Sequence, residues 1–191
     1  HAPNHLPIVG DNVDTNDLRA WLEKLFAIWS TYLKLNAAWY LWQAPLPAGL
    51  LGGVAALASS DILISRQIIW VKSHLVFGRG DYHWQHEICW YGWKRGHRPP
   101  WYGERDQTTL WALDYDINRN ERFHPTAKPV AVFSIPMSNH TRVGEICAEP
   151  FAGGGSQFVA AEQRGRLCYG MEIEPQYVAL ILERLTGIGL V

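Results

Sequence analysis

A glycine-rich turn is the feature of this chain that most restricts its fold. The turn reads Glu149-Pro150-Phe151-Ala152-Gly153-Gly154-Gly155-Ser156, between a short apolar run (143–148) and an amphipathic run (157–164). This order predicts a strand, a tight turn and a helix, with bare backbone exposed to a ligand at the helix N-terminus. An acidic residue closes the predicted strand, and a second one, Glu172, follows the next apolar run.

The chemistry around this turn favours a nucleoside ligand. Two carboxylates suit an amine and a ribose better than a phosphate, and Glu172 lies about 20 positions beyond the turn, where a second strand brings a carboxylate to ribose hydroxyls. A dinucleotide fingerprint would place a third glycine three residues after Gly155, but that residue is Phe158, which argues against NAD. The sequence has no Gly-Lys-Ser/Thr triplet, which excludes a nucleoside-triphosphate loop.

The second half of the chain predicts an α/β fold. A strand into Glu149, a helix after Ser156, a strand at Leu167–Met171 and a helix at Pro175–Leu185 alternate along the sequence. This alternation is typical of a parallel, doubly wound sheet. A further helix is predicted from Pro129 to Met137.

The first half is less regular. Apolar residues from Leu18 to Trp29 recur at helical spacing, and strands are predicted at Trp39–Trp42 and Ile62–Val71. A helix is predicted over residues 48–58. Residues 72–108 are predicted to be loops apart from one apolar segment, Ile88–Trp93, and residues 109–123 to be polar turns.

Composition limits the possible functions. The 191 residues fit one domain, and 48% hydrophobic with 18% charged residues is typical of a globular protein. A net charge of −1 means that any nucleic-acid contact must come from a local basic patch. Three cysteines without CxxC spacing predict reduced thiols in a cytoplasmic protein. We expect no membrane partner, because no apolar run reaches spanning length and no signal peptide is recognisable.

Three segments together resemble the DNA amino-methyltransferases, which make N6-methyladenine or N4-methylcytosine. The turn at 149–156 resembles their DPFxGxGT motif, His124-Pro125-Thr126-Ala127-Lys128-Pro129 resembles HPTQKP, and residues 170–178 resemble GIELDPEYV. The three occur in family order and spacing, and residues 78–94 are also similar to members of this family. The resemblance implies a Rossmann-like methyltransferase sheet with helices on both faces.

The same resemblance implies S-adenosylmethionine as cofactor. Phe151 would pack near the adenine, Glu149 would face the ammonium and Glu172 would accept hydrogen bonds from the ribose, while Thr126 and Lys128 would hold the carboxylate. Ala127 stands where the family has glutamine, and Glu149 where it commonly has aspartate. The full set of predicted cofactor-binding residues is His124, Thr126, Lys128, Glu149, Phe151, Ala152, Gly153, Gly155, Ser156 and Glu172.

The catalytic motif of this family, (D/N/S)PP(Y/F/W), has no counterpart in the chain. Arg98-Pro99-Pro100-Trp101 has the prolines and an aromatic residue, but an arginine cannot accept a hydrogen bond from the target amine. In family order the motif would stand just before His1, so we expect a fragment that lacks the strand carrying it, inactive alone, or else a degenerate copy. No catalytic residue is therefore assigned, and adenine and cytosine both stay open as targets, with adenine favoured.

The family order also predicts three parts within one domain: the remainder of the catalytic half (1–93), a short DNA-recognition region (94–123) and the cofactor-binding half (124–191). So short a recognition region predicts a short or poorly selective target site. A non-catalytic cofactor- or DNA-binding remnant and an RNA amino-methyltransferase are the alternatives.

Double-stranded DNA is the predicted partner. Basic side chains suited to phosphates are interleaved with tryptophans suited to unstacked bases between residues 71 and 105. The predicted DNA-binding residues are Lys72, Arg79, Lys94, Arg95, Arg98 and Arg105. His83, His86 and Cys89 have no second ligand pair at finger spacing, so we predict no metal site.

Overall fold

The computed structural model describes residues 15–43, 53–57, 61–78, 80–113 and 128–189. The chain divides into two compact units. We call residues 12–114 the aromatic unit, and residues 1–11 with 115–191 the glycine-turn unit. None of the helices in the described ranges is long and apolar enough to cross a membrane.

The aromatic unit contains a four-stranded sheet. Helix α1 (Thr15–Tyr32) precedes β1 (Ala38–Gln43), and residues 53–57 are helical. The remaining strands are β2 (Ile62–Val76), β3 (Trp84–Lys94) and β4 (Leu110–Ala112). The strand order is β1-β3-β2-β4, in which β3 runs antiparallel to both of its neighbours and β4 runs parallel to β2.

The core of the aromatic unit lies between α1 and the sheet. Leu22 and Phe26, one helical turn apart, pack with Ala56, Leu57 and Ile62. The helix predicted from the spacing of residues 18–29 is confirmed, as are strands at 39–42 and 62–71. In the predicted helix over 48–58, residues 53–57 are helical and the other residues lie outside the described ranges.

The prediction of loops over residues 72–108 was wrong in part, because β2 continues to Val76 and β3 begins at Trp84. Polar residues interrupt the apolar pattern in both extensions, over residues 72–74 in β2 and 85–87 in β3. Cross-strand contacts hold them instead: Gln85 Nε2 donates to the Lys72 carbonyl at 3.1 Å, and Lys72 Nζ lies 2.8 Å from Glu87 Oε1. Strand β4 was also missed, since its three residues lie in a segment predicted as polar turns.

The glycine-turn unit alternates helices and strands. Its described residues form α2 (Ala131–His140), β5 (Ile146–Glu149), α3 (Ser156–Gln163), β6 (Leu167–Gly170) and α4 (Pro175–Gly187). Strands β5 and β6 are parallel, in a register that places Ile146 opposite Leu167 and Glu149 opposite Gly170. The predicted strand–turn–helix and the parallel arrangement are confirmed, while α2 begins and ends two to three residues later than predicted.

Two cysteines face the core of this unit. Cys147 and Cys168 are register partners and pack against Met137, Ala160 and Ala161 from α2 and α3. Both are free thiols, as predicted. Burial raises the pKa of Cys147 and raises that of Cys168 to about 12, so both thiols stay protonated at neutral pH.

Candidate functional site

The candidate site lies at the carboxyl ends of β5 and β6. Because the strands are parallel, these ends meet at one edge of the sheet, with Glu149 ending β5 and Glu172 two residues after β6. Backbone pairing continues past the strands, since Met171 donates to the Glu149 carbonyl at 2.9 Å and Ala152 donates to the Met171 carbonyl at 2.8 Å. The glycine turn is therefore tied to the end of β6.

Glu149 is a half-buried carboxyl group beside the turn. Its Oε1 accepts a hydrogen bond from the backbone N–H of Phe151 at 2.9 Å. Burial raises the pKa of Glu149 to about 7, and the Phe151 N–H and the positive charge of Lys128 offset only part of that rise. A ligand cation placed against this carboxyl would favour its ionised form, so the position suits an ammonium group.

Glu172 has different surroundings. Its Oε2 accepts from the Gly153 N–H at 2.7 Å, and its Oε1 accepts from the Glu174 N–H at 3.0 Å. One carboxylate thus holds both the glycine turn and the start of α4. Each carboxylate oxygen can accept a second hydrogen bond, so these contacts leave Glu172 able to accept from a ligand hydroxyl.

The turn itself depends on two glycines in the left-handed region. Gly153 has φ of 50° and Gly155 has φ of 74°. A Cβ added to Gly155 would lie 3.0 Å from Cγ1 of Ile181, so α4 packs directly on the backbone there. Conformation and packing both require glycine at residue 155.

Two residues that the sequence did not point to hold the carbonyls of the turn. Gln157 Nε2 donates to the Ala152 carbonyl at 2.7 Å, and Arg184 Nη1 donates to the Gly154 carbonyl at 2.7 Å. A buried turn must find donors for its carbonyl groups, but this rule does not say which side chains supply them. Gln157 and Arg184 lie outside the recognisable motifs, and no sequence signal marked them.

Phe158 occupies the position where a dinucleotide fingerprint would have its third glycine. A Cβ added to Gly170 would lie 2.4 Å from Cζ of Phe158, so the ring rests on the bare backbone of β6. The close approach between helix and strand is thus made by a glycine on β6 and an aromatic ring on α3.

The other predicted cofactor-binding residues are placed as follows. Phe151 is 52% exposed. Ala152 and Ser156 are buried, and the Ser156 hydroxyl donates to the Lys128 carbonyl at 2.7 Å. These contacts give Ala152 and Ser156 structural roles, and their contact with a cofactor stays a prediction. His124 and Thr126 lie outside the described residues.

The predicted DNA-binding residues differ in their availability. Arg95, Arg98 and Arg105 are exposed. Lys72 is paired with Glu87 and lies over the Trp70 ring at 5.4 Å from its centroid.

Lys94 Nζ donates to the Leu33 carbonyl at 3.0 Å. Arg79 lies outside the described residues. The three arginines are therefore better placed for phosphate contacts than the two lysines. Trp101, 40% exposed, lies in the same segment as the three arginines.

Across the described ranges, His, Cys, Asp and Glu side chains form no group of three or more that could hold a metal ion.

Comparison with known proteins connects this geometry to a family. The sequence profile of the N6/N4 DNA methylase family matches residues 11–183. The putative methylase YubD of Escherichia coli (strain K12) is 40% identical over 67 residues, which cover 35% of this chain and 30% of that protein. The aligned part of the chain thus spans less than a third of that relative.

Solved structures share the fold. The M1.HpyAVI–SAM complex has a TM-score of 0.72 at 20% identity, and the match covers 87% of this chain and 81% of that one. The PvuII DNA methyltransferase (cytosine-N4-specific) has a TM-score of 0.77 at 12% identity, covering 96% of this chain and 79% of that one. The α/β, Rossmann-like methyltransferase fold that the sequence predicted is thereby confirmed.

Proposed function

This chain belongs to the N6/N4 DNA methylase family, and from that premise we propose that it binds S-adenosylmethionine for methyl transfer to an exocyclic amine of DNA. The observation that supports this proposal most is the pair of glutamates at the glycine turn, each of which accepts a hydrogen bond from a backbone N–H of the turn. Adenine N6 is the favoured target and cytosine N4 the second.

The residues at this edge of the sheet fit the cofactor group by group. Glu149, whose pKa burial raises to about 7, would gain its charge partner from the ammonium. Glu172 would accept from the ribose hydroxyls with the lone pairs that Gly153 and Glu174 leave open. The exposed Phe151 ring would pack on the adenine, and Lys128 would attract the carboxylate.

When bound, S-adenosylmethionine supplies a sulfonium methyl group that an amine attacks directly. The chain's own part is to orient the cofactor: the glutamates fix two of its polar groups, and the glycine turn lets the backbone approach it. The sequence contains no Pro-Cys pair, which agrees with transfer to an amine rather than to a ring carbon. The target base must leave the duplex stack to reach such a site.

DNA contact is proposed for the segment from residue 94 to 105. The exposed arginines Arg95, Arg98 and Arg105 would neutralise phosphates, while Trp101 offers a face for an unstacked base. Replacing all three arginines with alanine is expected to weaken DNA binding and to reduce the dependence of the binding constant on salt. Fluorescence anisotropy at several salt concentrations measures both quantities.

Two measurements test the proposed function. Calorimetry should show S-adenosylmethionine binding by this chain, and transfer of a radiolabelled methyl group to DNA should be followed by chromatography of the digested nucleosides. The 191 residues contain no (D/N/S)PP(Y/F/W) motif, so we expect transfer from a gene product that also carries this motif. Absence of cofactor binding, or transfer to RNA alone, would contradict the proposal. A product that binds the cofactor and transfers nothing would support the alternative of a non-catalytic remnant.

A further inference from the structure

Arg184 connects the last helix to the glycine turn. It lies near the end of α4 and is half-buried. Its Nη1 donates to the Gly154 carbonyl at 2.7 Å and to the Ser156 hydroxyl at 3.1 Å. Hydrogen bonds from a guanidinium are stronger than those between neutral groups, so Arg184 is a strong donor to these two atoms of the turn.

The Ser156 hydroxyl links Arg184 to a second segment, the backbone at Lys128. Ser156 is only 3% exposed, and its Oγ lies 2.7 Å from the Lys128 carbonyl. A guanidinium can only donate, so the hydroxyl accepts from Arg184. The single hydroxyl proton must then point to the carbonyl oxygen of Lys128, which can only accept. The direction of both hydrogen bonds is therefore fixed.

We propose that Arg184 is a positioning residue for the cofactor site, which acts through Ser156 to fix the backbone of Lys128 beside the glycine turn. This inference rests on the proposed function, since its purpose would be to hold Lys128 where its ammonium meets the cofactor carboxylate. It also explains why a serine at the start of α3 is buried rather than turned towards a ligand.

The effect of the Lys128 charge on Glu149 makes the positioning role of Arg184 measurable. Lys128 lowers the pKa of Glu149 against the effect of burial. When the Lys128 backbone is released, its ammonium should spend less time near Glu149, and the titration midpoint of that carboxyl should move upwards. A residue that merely supports the fold would not shift this midpoint.

The test compares Arg184→Ala, Arg184→Lys and Ser156→Ala with a control, Arg164→Ala, which removes an exposed arginine of the same unit. In the full chain, Arg184→Ala should weaken S-adenosylmethionine binding by on the order of tenfold. It should also raise the Glu149 midpoint, measured by carbon-13 NMR of the carboxyl group. Arg184→Lys should restore part of the affinity and reverse part of the midpoint shift. Ser156→Ala should raise the Glu149 midpoint as well. Arg164→Ala should change neither.

Equal affinity and an equal Glu149 midpoint in Arg184→Ala and Arg164→Ala would overturn the proposal. If Arg184→Ala does not fold, Arg184→Lys and Ser156→Ala decide, and an unchanged midpoint in both overturns it. The NMR titration needs no cofactor. Failure of the unaltered protein to bind S-adenosylmethionine would therefore refute the proposed function, while the effect of Arg184 on Lys128 and Glu149 would still be measured.

Discussion

The ends of β5 and β6 carry the same type of residue in two different environments. Glu149 accepts one backbone N–H and is buried enough that its pKa rises to about 7. Glu172 accepts two backbone N–H groups, one on each oxygen, from Gly153 and Glu174. The two glutamates at the ends of neighbouring parallel strands therefore make different contacts.

The two carboxyl groups also differ in what their backbone contacts hold. The two donors to Glu172 belong to the glycine turn and to the residue before α4, so this side chain is part of the fold before any ligand arrives. Glu149 has one such donor, which together with the charge of Lys128 offsets only part of the effect of burial, so a bound cation would stabilise its ionised form further. We expect substitutions at Glu172 to affect structure and binding together, and substitutions at Glu149 to separate them.

The largest expected effect is that of Glu172→Ala. Loss of two hydrogen bonds to a charged group should lower the free energy of unfolding by about 2 kcal/mol and weaken S-adenosylmethionine binding about a hundredfold. Urea unfolding and calorimetry measure the two quantities. Glu172→Gln keeps one acceptor oxygen and should give intermediate values. A variant as stable as the unaltered chain would mean that the two backbone contacts of Glu172 contribute nothing to stability, which would contradict the structural role assigned to Glu172.

The next largest effect on stability is expected at Gly170, which lies opposite Glu149 in the pairing of β5 and β6. Gly170→Ala places a methyl group against the Phe158 ring, which should cost about 2 kcal/mol in unfolding free energy. Combining it with Phe158→Leu should recover part of this loss, because the ring that causes the clash is gone. If Gly170→Ala lowers the free energy of unfolding equally with and without the Phe158 ring, contact with that ring does not restrict the choice of residue at 170.

Glu149→Gln should stabilise the protein while it weakens cofactor binding. The folded pKa of about 7 exceeds the unfolded value of 4.5, so the unaltered chain loses stability as the pH rises from 4.5 to 7. The glutamine variant avoids this loss and can still accept from Phe151. We expect it to be about 1 kcal/mol more stable at pH 8 and equal at pH 4, a figure reduced for the partial solvent exposure of the side chain. Urea unfolding at both pH values is the measurement, and a less stable variant at pH 8 would contradict the assignment.

The last effect is the pH dependence of binding itself. The ammonium of the cofactor prefers the ionised form of Glu149, so affinity should fall by up to about tenfold per pH unit below pH 7 and level off above it. Binding at pH 6 should release a proton, which calorimetry in buffers of different ionisation enthalpy detects. Glu149→Gln should bind without this release. Proton release that persists in the variant would place the titrating group elsewhere.

The sequence predicted the glycine turn, its two glutamates and the parallel strands because each depends on short-range patterns. Gly155 and its neighbours can form the turn only in a few ways, and the apolar runs beside them have strand length. The hydrogen bonds from Arg184 to Gly154 and Ser156 were not predictable. They join residues 30 and 28 positions apart, and several side chains could have met the same need.

The extensions of β2 and β3 escaped prediction for a related reason. Polar residues interrupt their apolar pattern, and the pairing of the two strands keeps them extended, as the contact between Lys72 and Glu87 illustrates. A periodic pattern of apolar residues marks the side chains that a strand buries, and these strand ends bury few side chains. The roles of His124 and Thr126, which the resemblance implied, stay predictions because those residues lie outside the described ranges.

The protonated cysteines of the glycine-turn unit have a practical consequence for labelling. Maleimides react with thiolates, which Cys147 and Cys168 form only at a pH well above neutral, and Cys89 is fully buried. An added surface cysteine should therefore take up a dye much faster than the three natural ones. A pair of added cysteines, for instance in place of Tyr82 and Glu183, would place one fluorophore on each unit. Energy transfer between them would then report the distance between the two units in solution.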